Sequence, residues 1–149
     1  MFYKKLIKNC SKSCILILIT FLTFFSCKSK EEKYLKDHKV ILCYTLNDDK
    51  NIIDQALEFE KNSKIKFKDA SNIYIDYLRE KKEIKETNYD KIIYPKLIID
   101  GNYVYSFINM KTLDIAVFGL WINSENGEIS HQESKLWINE RDIIDFYKK

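Results

Sequence analysis

The chain has 149 residues, with 25 Lys and Arg against 22 Asp and Glu, and is 46% hydrophobic and 14% aromatic. That is ample apolar material for a packed domain and argues against intrinsic disorder. Its only arginines are Arg79 and Arg141, and the near balance of charge gives no field for a polyanion, so no nucleic-acid partner is expected.

The N-terminus carries Lys4, Lys5, Lys8 and Lys12 ahead of a largely apolar run, Cys14 to Phe25, and no acidic residue precedes Glu31. A basic segment, a short apolar segment and a small residue are the parts of a secretory signal peptide. The apolar run is 12 residues long, short of the roughly 20 that a helix needs to cross a bilayer. Ser26-Cys27 closes it and resembles the lipobox of bacterial lipoproteins. Phe24 and Phe25 depart from the usual leucine pattern and are similar to the bulky residues found there in Bacteroidota. The resemblance implies cleavage before Cys27 and a fatty-acyl lipid, such as palmitate, carried on that thiol. The protein would then be anchored in the bacterial envelope, at the outer membrane, with the membrane as one partner. Residues 1–26 are then signal peptide and 27–37 a charged tether. Lys30-Glu31-Glu32 resembles the signal that sends some Bacteroidota lipoproteins to the cell surface, and a plain tether would read the same. Removing the signal leaves 123 residues with 21 basic and 22 acidic side chains.

Residues 38–149 are expected to form one globular domain. Lys39 to Leu46 is apolar and reads as a buried strand. Asn47-Asp48-Asp49 offers caps for a helix over 49–61, with Ile52, Ile53, Ala56, Leu57 and Phe59 mostly on one face. Ile65 to Phe67 reads as a short strand. A second helix starts near Asp69 or Ser71 and frays into the charged run Arg79 to Glu86. Ile92–Ile99 and Tyr103–Ile108 flank Asp100-Gly101-Asn102, a hairpin signal, because Asp-Gly accepts positive φ. Pro95 belongs at a strand start or edge. Leu113–Ile122 is another strand, followed by a turn carrying Asn126-Gly127 and a polar returning strand to Gln132, which suits an edge. Lys135–Ile138 is a last strand, and Asn139 can cap a final helix, Glu140–Tyr147.

The expected fold is α+β, with two N-terminal helices and a C-terminal helix against a mainly antiparallel sheet. An alternative comes from Tyr94-Pro95-Lys-Leu-Ile-Ile-Asp-Gly101, which resembles the cis-proline hairpin of thioredoxins and glutaredoxins. That resemblance implies a thioredoxin-like α/β sheet over about residues 39–108. Where that family has Cys-x-x-Cys, this chain has Asn47-Asp48-Asp49-Lys50, so no redox activity comes with it.

Chemistry-bearing residues are few. The mature chain has Cys43 as its remaining thiol beside Cys27, and His38 and His131 as its histidines. Cys43 lies inside an apolar strand, where a free cysteine behaves as a small core residue. No metal-ligand spacing, phosphate-cradling glycine loop or nucleophile elbow occurs, so no cofactor, metal or catalytic residue is assigned. The remaining handle is aromatic. Tyr103, Tyr105 and Phe107 alternate along one strand, and Trp121 and Trp137 follow. Either that strand faces the core, or some of Tyr103, Tyr105, Trp121 and Trp137 make a binding surface. The reading that results is a membrane-anchored, non-catalytic binding, interaction or structural protein with an envelope protein as a possible partner. An enzyme or redox-derived domain on a thioredoxin-like scaffold is the alternative. Small size and envelope location also fit an immunity-type protein.

Overall fold

The computed structural model describes residues 30–43, 50–81, 83 and 91–148. The signal segment with Cys27, the caps Asn47 to Asp49 and the charged run from residue 84 lie outside the described residues. The chain divides after Tyr34, and the fold set out here is that of Leu35–Lys149. Residues 30–37, read above as tether, are helical (α1). Glu32 and Lys36 stand four apart with the acid first, a spacing that supports a helix, and Leu35 is buried.

The later elements are β1 (Val40–Leu42), α2 (Lys50–Asn62), α3 (Phe67–Glu80), β2 (Leu97–Ile99), β3 (Asn102–Tyr105), β4 (Ile108–Asn109), β5 (Asp114–Ala116), β6 (Gly119–Asn123), β7 (Ile129–Gln132), β8 (Trp137–Asn139) and α4 (Glu140–Tyr147). They form a five-stranded sheet in the order β1-β2-β3-β6-β7 and a three-stranded sheet in the order β4-β5-β8. Every described pairing is antiparallel. The fold is therefore α+β. A thioredoxin-like sheet needs parallel pairing, which none of these strands supplies, and the described peptide bonds, that of Pro95 among them, are trans.

Alternation places one set of side chains of the large sheet against α2 and α3. Ile41, Ile98, Tyr103 and Ile122 form one row across it, and Tyr105 and Leu120 begin the next. They pack with Ala56, Phe67 and Ala70 from the helices. The other face carries Val40, Leu42, Leu97, Ile99, Val104 and Trp121, all buried. The small sheet and α4 bring Ile115, Val117, Ile138 and Ile143 to the interior as well. On α2 the inward stripe is Ile52, Ala56 and Phe59, whereas Ile53 and Leu57 are exposed.

Local chemistry fixes the ends of these elements. Asp100 and Gly101 have φ of 47° and 82°, the conformation that the Asp-Gly signal calls for. Asp100 also accepts from Lys39 N at 2.8 Å and pairs with His38 Nδ1 at 2.5 Å, which ties the start of β1 to the turn. Asn139 accepts from Arg141 N at 3.0 Å and so caps α4. Ile65 to Phe67 is not a strand. Lys66 turns its ammonium onto the carbonyls of Glu60, Lys61 and Ser63 at 2.7–2.9 Å. Those carbonyls lie at and just beyond the end of α2, where backbone acceptors outnumber helical amides, so the demand of a helix end overrides the apolar pattern. Ile92–Ile99 is likewise a strand only over its last three residues.

Leu113–Ile122 is broken, and the break creates the second sheet. β3 pairs with β6, and β4 pairs with β5, as parts of one long antiparallel ribbon. Between Tyr105 and Phe107 lies Ser106 alone; between their partners Leu120 and Ala116 lie Val117, Phe118 and Gly119. The surplus residues bend the ribbon as a bulge does. Gly119 has φ of 135°, and a Cβ there would sit 2.5 Å from the Tyr105 carbonyl oxygen. Gly119→Ala should lower stability by about 2–4 kcal/mol through strain and clash together. Chemical denaturation of the variant checks this.

Candidate binding face

The sequence offered Tyr103, Tyr105, Trp121 and Trp137 as a surface, and the fold separates them. Tyr103 is 0% exposed, and Tyr105 and Trp121 are also buried. Tyr103 and Tyr105 point toward the helices and Trp121 toward the opposite face. Only Trp137, 36% exposed, reaches the surface. The three buried residues hold the interior together. The Tyr103 hydroxyl donates to the Ile65 carbonyl at 2.7 Å, and its ring meets Phe59 and Phe67 edge-on and tilted. Tyr105 stacks on Tyr74 at 4.3 Å, and Trp121 donates to Val117 O at 3.2 Å. Burial raises the hydroxyl pKa of both tyrosines.

Trp137 has a neighbour that the four-residue set omitted. On the small sheet, Ile108, Ile115 and Ile138 form one row, and the last two are almost wholly buried. The adjacent row must point the other way. It consists of Phe107, Ala116 and Trp137, with Ala116 N donating to Phe107 O at 2.9 Å. Phe107 is 68% exposed, and small Ala116 lies buried between the two aromatics. Phe118 meets Trp137 edge to face, with ring centroids 5.3 Å apart. Met110, at the β4–β5 turn, is exposed as well. The result is an apolar row on an outward sheet face, made of side chain types that protein interfaces favour. The alternation of Tyr103, Tyr105 and Phe107 hinted at it, but the bend after Tyr105 turns Phe107 to a different surface.

The groups that could carry chemistry lie apart from this row. Cys43 is partly buried and packs on the core cluster. Desolvation pushes its thiol pKa up strongly, with Lys96 opposing in part, so it is held as thiol rather than thiolate. His38 is engaged by Asp100, and the His131 ring lies 5.3 Å from Tyr77. Among the described residues no cluster of three or more His, Cys, Asp or Glu is placed to hold a metal ion. The Tyr105 hydroxyl is buried with no hydrogen-bond partner among the described residues.

Comparison with protein-family models, curated proteins and solved structures finds no match for this chain.

The two buried tyrosines should answer differently to loss of the hydroxyl. Tyr103→Phe removes a satisfied bond and strands the Ile65 carbonyl, at a cost of about 1–2 kcal/mol. Tyr105→Phe removes an unmet donor and should leave stability unchanged or raise it by up to about 1 kcal/mol. Urea unfolding of both variants measures the difference.

Proposed function

We propose that this chain is a lipid-anchored protein of the bacterial envelope that acts by binding another envelope protein through the outward face of its small sheet. The anchor reading is supported by the order of features at the N-terminus: four lysines, a 12-residue apolar run, then Ser26-Cys27. Acylation of Cys27 after cleavage holds the domain at the membrane. The binding reading is carried by one observation, the exposed row of Phe107 and Trp137 on a rigid sheet. A sheet face fixes both rings at little further entropic cost on binding, which is what an interaction surface requires. Cys43 packs on the core, His38 pairs with Asp100 and His131 lies beside Tyr77, so these groups stand apart from the aromatic row.

Metabolic labelling with an alkyne-tagged fatty acid tests the anchor. Wild type should take up label and Cys27→Ala should not, with the variant retained as uncleaved precursor. Equal labelling of both, or of neither, would refute the lipid anchor.

A further inference from the structure

We propose that β7 is a dimerisation edge, where two copies of this chain join their large sheets about a two-fold axis through Ser130. The proposal does not depend on the lipid anchor or on the aromatic row. The large sheet has β1 and β7 as its edges, and they are treated in opposite ways. At β1, Val40 and Leu42 are 1% and 3% exposed, and Val40 N donates to the Tyr147 hydroxyl at 2.9 Å. That edge is closed by α2 and α4. At β7 all four residues, Ile129, Ser130, His131 and Gln132, are exposed. Natural sheets protect such an edge with lysine, proline, a bulge or a covering element. Ile129–Gln132 contains no charged residue and no proline, and its register with β6 is unbroken.

The direction of the main chain specifies what fits. Asn123 N donates to Glu128 O at 2.9 Å, so Glu128 faces β6. By alternation Ser130 and Gln132 also turn their amides and carbonyls to β6, opposite Trp121 and Gly119. The amides and carbonyls of Ile129 and His131 therefore point away from the sheet, and among the described residues no group meets them. An antiparallel copy of β7 satisfies all of them in one register. Ile129 of each copy faces His131 of the other and exchanges both main-chain bonds with it, and Ser130 faces Ser130 on the axis. In this register Glu128 lies opposite Gln132 of the second copy, and Glu133 opposite its Gly127. No like charges stand directly across from each other, so the strand is complementary to itself. Ile129, 38% exposed as it stands, would be covered beside His131 of the second copy.

Cysteine cross-linking of the full chain tests this. Residues facing each other in a non-hydrogen-bonded antiparallel pair have Cα atoms about 4.5 Å apart, inside the range of roughly 4.4–6.8 Å that a disulfide spans. Ser130→Cys in the purified full chain, oxidised with copper phenanthroline, should give a reducible band of twice the monomer mass that wild type lacks. Adding His131→Pro removes an outward amide while leaving those of Ser130 and Gln132 to β6, so the fold is kept and the band should fall at least about tenfold. Circular dichroism verifies that fold. Ser130→Lys, which sets two ammonium groups together on the axis, should shift the detergent-purified protein from dimer to monomer in light scattering. No band above wild type from Ser130→Cys would overturn the proposal, as would a band indifferent to His131→Pro or a wild-type chain that is monomeric at all concentrations.

Discussion

The bend in one antiparallel ribbon is the constraint on which the rest of the structure depends. Without surplus residues opposite Ser106, β3–β4 and β5–β6 would run on as one straight hairpin with a single face to bury. Val117, Phe118 and Gly119 supply the surplus, and Gly119 at φ 135° lets that strand pass against the Tyr105 carbonyl. The ribbon then doubles over and supplies two sheets. Its near half joins β1, β2 and β7, and its far half takes up β8. Packing follows from this division. The near half carries Tyr103 and Tyr105 toward α2 and α3, and the far half turns Ile115 and Ile138 inward, so Phe107 and Trp137 must face out.

Much of this was legible where a local rule has one physical solution. Asp100-Gly101 made its hairpin because few residues accept positive φ at both positions, and Asn139 capped α4 because an Asn before Glu140 meets an orphan amide. The exposed, polar β7 also lay at an edge, as its composition suggested. The failures occur where a distant group intervenes. Ile65 to Phe67 has an apolar pattern, yet Lys66 is drawn to the carbonyl end of α2. Leu113–Ile122 is largely apolar, and its pairing partner reveals where the strand breaks. The candidate site suffered from that same break. Period-two alternation grouped Tyr103, Tyr105 and Phe107, but the period holds only while the strand runs straight. Three of the four candidate aromatics went to the interior, and Phe107, outside the set, came to the surface beside Trp137.

Burial and exposure also divide the molecule by role. The Cys43 thiol, shielded from water and pushed toward its neutral form, contributes packing rather than reactivity. The Tyr103 hydroxyl fastens the α2–α3 connection to the sheet. Features without a structural task are outward ones, namely the aromatic row of the small sheet and the bare main chain of β7. On the proposed reading these suit a protein confined to a membrane surface, because confinement raises the effective concentration of partners and lets modest contact areas suffice.

The central claim is that the Phe107–Trp137 row is the docking face of an envelope-anchored protein. The most direct test places a photo-crosslinking phenylalanine analogue at position 107, at position 137, or at exposed Asp145 on α4, in cells producing the full chain. The account predicts one adduct of the same mass from positions 107 and 137, found in the envelope fraction and absent from position 145. No adduct from either aromatic position, or the same adducts from all three, would contradict it.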